Sequence, residues 1–432
     1  MRRIALVSEH ASPLALAGSV DSGGQNVYVA HVARQLAARG HEVDVYTRRD
    51  DPLQPLIVHW QPGVRVIHVP AGPARYLPKE ELLPCMAEFR TWMMRCFGGQ
   101  DELYDAIHAN FFMSAMAALP VARYYGIPLA VTFHALGKVR RLHQQEADRF
   151  PDSRFAIEEE IVREADCIVA ECPQDRRDLI DLYGADPARI EIVPCGYDPA
   201  EMAPMDRLRA RRALGWDEAG FRILQLGRMV PRKGVDDVIR ALAALRGHHG
   251  VDARLAVVGG SSRDARQERT PEVARLKAVA RDCGVLDRVD FVGRRNRLEL
   301  REYYCASDVF ATTPWYEPFG ITPVEAMACA RPVVGSRTGG IRYTVEDGRT
   351  GFLVPPRDPA ALAARLAVLA RDPALARRMG EAGARRAQRL FTWESVGREL
   401  DLLFARLSRA PAVGARRAAA AALAAPHAGA VL

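Results

Sequence analysis

The segment Tyr316-Glu317-Pro318-Phe319-Gly320-Ile321-Thr322-Pro323-Val324-Glu325 sets two carboxylates around a Pro-Phe-Gly loop. The pattern predicts a helix opening after the loop, with Thr322 as N-cap, Pro323 at N1 and Glu325 at N3 closing a capping box. A loop running into a helix start aims free backbone N–H groups and a positive dipole end at what lies before it, which favours a phosphate. Glu317 precedes that anion site and could accept hydrogen bonds from sugar hydroxyls, while Glu325 could cap the helix and still accept from a ribose. Carboxylates for hydroxyls beside a helix end for phosphates suit a nucleotide-sugar.

A second cluster lies about ninety residues earlier, in Gly227-Arg228-Met229-Val230-Pro231-Arg232-Lys233-Gly234. Here a strand ends and a helix begins, and fixed cations at such a connection can clamp a diphosphate and stabilise charge as it leaves. A solvated basic loop would explain Arg228 and Lys233 equally well if they stood alone; their pairing with the Glu317 segment favours function. Gly23-Gly24 permits close backbone approach at another helix start. His134 follows an apolar strand at its carboxyl end, where ligand loops gather, though a structural histidine fits the same position. The basic stretch Lys138, Arg140, Arg141 and Arg154 reads either as a solvated helix face or as a site for an anionic acceptor or a membrane surface.

Positioning these residues requires strands that end at a common edge. Ile4–Val7, His41–Thr47, Val64–Val69, Ala106–Ala109, Leu129–Thr132 and Cys167–Ala170 read as one strand series. The first helix runs from Val27 to Ala37, with Gly40 as its C-cap. Ile223–Leu226, Leu255–Val258, Val289–Val292, Val309–Thr312 and Pro332–Gly335 form a second series, with helices over 234–245 and 272–282. Strands alternating with helices predict an α/β protein of two doubly wound, Rossmann-like domains facing across a cleft. We expect an N-terminal acceptor-side domain over 1–197 and a nucleotide-sugar-binding domain over 198–391. A helix over 392–410 crosses back to the first domain, and an Ala/Arg-rich tail over 411–432 is expected to be disordered.

The 432 residues, 49% hydrophobic and 26% charged, suit a soluble globular protein of two domains or more. No apolar run reaches the roughly 18 residues of a membrane span. Met1-Arg2-Arg3 followed by a short apolar run reads as the first buried strand rather than a signal, so a cytoplasmic location is expected. Eight scattered cysteines and eleven histidines form no C-x-x-C or H-E-x-x-H motif, and no metal is expected. The net charge of +7 fits anionic small molecules or peripheral contact with a membrane, and no nucleic-acid module appears. The apolar face Met86, Phe89, Trp92, Met93, Cys96 and Phe97 reads as core packing before membrane contact. A homodimer is compatible with the sequence.

Taken together, Glu317-x7-Glu325 around Pro-Phe-Gly, G-R-x-x-x-x-K-G at Arg228 and Lys233, and the Gly23-Gly24 loop resemble the retaining glycosyltransferases of family four, with the GT-B fold. The resemblance runs from about residue 3 to 408. His10-Ala11-Ser12-Pro13, Asp21-Ser22-Gly23-Gly24-Gln25-Asn26 and Leu77-Pro78-Lys79-Glu80-Glu81 are similar to the branch holding inositol-phosphate glycosyltransferases and sucrose-phosphate synthases. It implies that Arg228 and Lys233 hold the donor diphosphate, Glu317 the sugar hydroxyls, Glu325 the ribose and Arg294 the base. Phe319, Gly320 and Ile321 would offer backbone N–H groups, His10, Gly23 and Gly24 would meet the donor from the other domain, and His134 would sit beside the transferred sugar. Asn26, Lys79 and Arg154 match acceptor-binding positions, whereas Phe111, Ala135 and Leu16 replace polar residues of that branch.

The resemblance implies transfer of a hexosyl group from a nucleotide-sugar, a UDP-sugar foremost, to a small phosphorylated acceptor, with no cofactor required. Rival readings are a transferase using GDP-mannose with a lipid or glycan acceptor at a membrane, and a non-catalytic nucleotide-sugar binding protein. An NAD-linked oxidoreductase is disfavoured because no G-x-G-x-x-G follows the first strand.

Overall fold

The computed structural model describes residues 1–15, 23–264 and 270–409. Short β-branched runs fully buried on both faces can satisfy their backbone groups only in a central sheet, and two such sheets form. The first comprises β1 (Arg3–Val7), β2 (Glu42–Arg48), β3 (Ile57–Gln61), β4 (Val64–Val69), β5 (Ala106–Asn110), β6 (Leu129–Thr132), β7 (Cys167–Ala170) and β8 (Ile190–Ile192). Their order is β3-β4-β2-β1-β5-β6-β7-β8, parallel except for β3, which pairs antiparallel with β4.

The second sheet holds β9 (Phe221–Leu226), β10 (Ala253–Val258), β11 (Val289–Gly293), β12 (Val309–Thr312), β13 (Val333–Ser336) and β14 (Gly351–Val354). It is all parallel, in the order β11-β10-β9-β12-β13-β14. Helices cover both sheets, giving two Rossmann-like α/β domains. Strand order reverses between β1 and β5 in one and between β9 and β12 in the other. A crevice opens at the carboxyl ends of strands at such a reversal.

Sequence periodicity misses three strands. β3 is an edge strand whose residues are all partly or wholly exposed, so it lacks a buried alternation; β8 has three residues and β14 four. The first helix spans Gly24–Ala38, ends at the C-cap Arg39, and leaves Gly40 one position beyond it at φ 85°. Met86, Phe89, Met93 and Phe97 of the helix Met86–Gly98 are buried in the core of the first sheet, so that face is not available to a membrane. No described helix is long and apolar enough to cross a membrane. The tail over 411–432, Leu16 and the Asp21-Ser22 part of the turn lie outside the described residues.

The chain passes between the sheets after β8 and returns near Phe391. The two passages lie side by side: Tyr197 N donates to Phe391 O (2.8 Å) and Trp393 N to Tyr197 O (3.1 Å). Only glycine fits at 196, where a Cβ would stand 2.7 Å from Trp393 N. The final helix, Trp393–Arg409, then packs on the first helix; a Cβ on Gly397 would approach that of Gln35 to 2.4 Å. Arg2 and His41 both reach Asp401, at 2.5 and 2.9 Å.

Trp393, 2% exposed, stacks on His31 with centroids 5.0 Å apart and meets Tyr28 edge-on at 5.8 Å. Burial, reinforced by Arg297 and Arg34, pushes the His31 imidazole down to about 3, so the ring stacks as a neutral group. Trp393→Ala is expected to destabilise the protein by about 3–5 kcal/mol in urea unfolding. Leu402→Ala, on the exposed face of the same helix, should stay within about 0.5 kcal/mol of wild type.

Candidate active site

A cavity of about 570 Å³ lies where the carboxyl ends of the two sheets face each other. Nearly every strand around the two reversals delivers a lining residue just past its end. On the first sheet these are His10 after β1, Phe111 after β5, His134 after β6 and Glu171 after β7; on the second, Arg228 after β9, Gly259 after β10, Arg294 after β11 and Glu317 after β12.

The connection after β9 is pinned to the end of β12. Gly234, at φ 63°, lies where a Cβ would stand 2.0 Å from Thr313 O, and Thr313 Oγ1 donates to Gly234 O (2.6 Å). Trp315 N donates to Arg232 O (2.9 Å). These contacts set Lys233 against Glu317, with Nζ donating to Oε2. Burial lowers the Lys233 ammonium below its ordinary value, with Glu317 opposing and Arg232 and Arg228 adding to the shift. Burial works to raise the Glu317 carboxyl, but Lys233, Arg232 and Arg228 outweigh it and hold it below its ordinary value. Glu317 is therefore a carboxylate at neutral pH.

The Glu317 loop is held from behind by two glycines. Gly340 N donates to Glu317 O (2.9 Å), and a Cβ on Gly339, at φ 44°, would lie 2.0 Å from the same oxygen. Tyr316 crosses the cleft: its ring stacks on His143 (5.1 Å), its hydroxyl accepts from Gln144 Nε2 (2.5 Å), and the Arg232 guanidinium stands 5.3 Å from its centroid.

The helix after the loop differs from the sequence expectation. It spans Ile321–Ala328 with Gly320, at φ 94°, as its N-cap, so Thr322 lies inside it and no capping box forms. Glu325, 2% exposed, instead accepts from Arg297 Nη1 (2.8 Å) and Tyr304 OH (2.9 Å). Two strong donors on a neighbouring helix outcompete a local backbone N–H. Burial works against the Arg297 charge, but Glu325 and Glu201 outweigh it and raise its guanidinium above the ordinary value. Phe319, Gly320, Ile321 and Glu325 all line the cavity.

On the opposite wall, Gly24 opens the first helix, and a Cβ there would lie 3.4 Å from Ile321 Cδ1. Asn26 shapes that start: its Oδ1 accepts from Gly23 N and its Nδ2 donates to Ser12 O, both at 3.0 Å. His10 pairs with Glu9 (2.7 Å) and meets Phe111 edge-on (5.0 Å). His134 is fixed at both nitrogens, Nδ1 on Glu171 (2.9 Å) and Nε2 on Asn110 (3.0 Å). Phe111 and His134 both adopt positive φ, 86° and 57°, a conformation costing about 1–2 kcal/mol each. Lys79 and Arg140 complete this wall.

Of the expected donor and acceptor residues the cavity brings together all but Arg154, and of the basic stretch it takes Arg140 and not Lys138 or Arg141. The Arg154 side chain is 1% exposed and lies behind Phe111 and Ala135, donating to Glu158 Oε1 (2.8 Å) and to Ala135 O. Its remaining nitrogen, Nη1, is buried without a hydrogen-bond partner. Sequence reasoning passed over Tyr316, Arg232, Arg297, Tyr304 and Glu171. Glu171 carries a signal, standing directly after an apolar strand; Arg297 and Tyr304 act from a helix remote in sequence, where no local pattern marks them. Among the described residues no group of His, Cys, Asp and Glu could hold a metal ion.

Two family models cover most of the chain, Glycosyltransferase Family 4 over residues 22–201 and Glycosyl transferases group 1 over 206–386. A D-inositol 3-phosphate glycosyltransferase of Acidothermus cellulolyticus is 39% identical over 403 residues, 91% of this chain and 88% of the relative. The chain belongs to the family-four, group-one glycosyltransferases. Sucrose-phosphate synthase from Thermosynechococcus elongatus is a structural neighbour with TM-score 0.86 and 32% identity, covering 94% of this chain and 99% of that one. The Anabaena HepE protein, solved with UDP-glucose, shares the GT-B fold at TM-score 0.72 and 21% identity, over 94% of this chain and 100% of its own.

Glycosyltransferases of this group take nucleotide-sugars as substrates and require no cofactor. Lys233→Ala should lower turnover by about 10²–10³-fold, the loss seen when one charge-stabilising donor is removed, while circular dichroism shows a folded protein. Gly339→Ala pushes a Cβ onto the carbonyl of Glu317 and should cost about 10²-fold in kcat/KM by misplacing that loop, again without unfolding.

Proposed function

We propose that this glycosyltransferase moves a hexosyl group from a UDP-sugar to a hydroxyl of a small phosphorylated acceptor, with retention of anomeric configuration. One observation carries the reading. A single cavity sets Arg228, Lys233 and the Ile321–Ala328 helix start on one wall and the cations Lys79 and Arg140 on the other. Two anionic groups, a leaving diphosphate and an acceptor phosphate, fit that division. The names of two relatives, an inositol 3-phosphate glycosyltransferase and a sucrose-phosphate synthase, support it.

In this reading residues 1–197 form the acceptor side and 198–391 the donor side. Arg228 and Lys233 hold the diphosphate; one Lys233 proton stays on Glu317 and two remain for phosphate oxygens. Glu317 accepts from the sugar hydroxyls, Glu325 from the ribose, and Arg294 lies beside the base. Phe319, Gly320 and Ile321 present backbone N–H groups, and His10, Gly23 and Gly24 close on the donor from the first domain. His134 borders the transferred sugar, and Asn26 and Lys79 face the acceptor. As the glycosidic bond to the diphosphate breaks, the clamp and the helix dipole stabilise the developing charge. The leaving phosphate oxygen takes the acceptor proton, so attack occurs on the face the diphosphate leaves. Substrates of this kind suit a cytoplasmic location.

The test is UDP release from UDP-glucose with and without a pool of sugar phosphates and inositol phosphate, followed by NMR of the product. Acceptor-dependent release and an α-linked product are expected. Release indifferent to the pool would overturn the acceptor class, and a β-linked product would overturn retention.

A further inference from the structure

We propose that the first domain sets the posture of Glu317: His143, Gln144 and Cys172 hold the residues on either side of it, so that its carboxylate is placed for the transferred sugar only when the cleft is closed. The three are positioning residues for the proposed transfer reaction, on which the inference rests.

Glu317 belongs to the second domain, yet both its chain neighbours are bonded to the first. Tyr316, 5% exposed, stacks on His143 at 5.1 Å with the planes 18° apart, and its hydroxyl accepts from Gln144 Nε2 (2.5 Å). Pro318 O accepts from Cys172 Sγ (3.3 Å). Glu317 stands between these two contacts and lines the cavity. Three consecutive residues have no slack, so a shift at 316 or 318 moves the backbone of 317. The second domain holds the same loop from behind, through Gly340 N on Glu317 O (2.9 Å). The loop is thus gripped on one side by its own domain and on the other by the opposite one, and only the first grip survives an open cleft.

The residues that grip from the first domain sit on elements that build its wall of the cavity. His143 and Gln144 end the helix Gly137–Gln144, whose Arg140 lines the cavity. Cys172 is the N-cap of the helix Pro173–Tyr183, accepting from Asp175 N (3.4 Å), and it follows Glu171, which holds His134. Burial, then Arg357, lowers the His143 imidazole below its ordinary value, with Asp178 opposing, so the ring stacks as a neutral group. None of the three side chains lines the cavity, so they act through the backbone of the Glu317 loop rather than on a substrate.

This coupling chooses between two fates of the donor. In hydrolysis the water oxygen bonds to the anomeric carbon and the bond from that carbon to the diphosphate oxygen breaks. One water proton stays on the new sugar hydroxyl and the other goes to the leaving phosphate oxygen. A Glu317 that is set only on closure holds the sugar for attack when the acceptor wall is in place and water is excluded.

The experiment measures the share of consumed UDP-glucose that ends as free glucose in the presence of the acceptor pool, together with the Kd values of UDP and UDP-glucose. The double variant His143→Ala, Gln144→Ala should raise the free-glucose share about 10-fold, the worth of one ring pair and one hydrogen bond. It should weaken UDP-glucose and leave UDP, which has no sugar for Glu317 to hold, unmoved. His143→Phe, which keeps a ring to stack, should lie near wild type, and Tyr316→Phe should move the share in the same direction by less. Leu142→Ala, 65% exposed on the same helix, should match wild type. An unchanged free-glucose share in the double variant, or an equal weakening of UDP and UDP-glucose, overturns the inference while the proposed function stands. A wild type whose UDP release ignores the acceptor pool overturns both.

Discussion

The cleft is organised around a desolvated ion pair. Lys233 and Glu317 come from different strand connections, and each alone would carry an uncompensated charge into a largely buried place, at a cost of several kcal/mol. Together they stay ionised only while both loops hold their positions. The surrounding backbone is built to that end: Gly234 lies against Thr313 and Gly339 against Glu317, at separations no side chain would tolerate. The pair also divides labour, since the carboxylate suits hydroxyl donors and the ammonium suits phosphate oxygens. A site that must recognise both parts of a nucleotide-sugar needs both polarities within one side-chain length.

Around that pair, charge is arranged in complementary walls. Arg297 is held between Glu325 and Glu201, and with Tyr304 it aims the Glu325 carboxyl by two donors. Across the cleft, Arg154 is held by Glu158 and Arg140 by Asp148. The first pair is closed off by rings and orders the fold, whereas the second leaves a fork toward the cavity. Two arginines on one short stretch thus differ in burial, Arg154 shut behind rings and Arg140 open to the cavity.

Much of the fold was legible in the sequence because the buried parallel strands are short continuous apolar runs, and because Gly and Pro mark their ends. The cavity lining was legible for the same reason: strand ends name the loops, and the loops carry the charged residues. Where reading failed, the cause was non-local. Glu325 fits a capping box by spacing alone, yet Arg297 and Tyr304 draw its carboxylate away. Arg154 looks like a wall cation until Phe111, Phe112 and Phe150 are seen to enclose it. Edge strand β3 hides because its exposed position removes the alternation that marks other strands.

The two passages between the domains are bonded to each other through Tyr197, Phe391 and Trp393, with Gly196 allowing the backbones to touch. A single flexible connection would let two bodies swing, twist and slide. A pair of zipped strands behaves more like a strip of tape, which bends easily across its face and resists torsion. Any opening of the cleft would thereby be confined toward one axis, so that the loops after β9 and β12 would meet the opposite wall in a fixed registry.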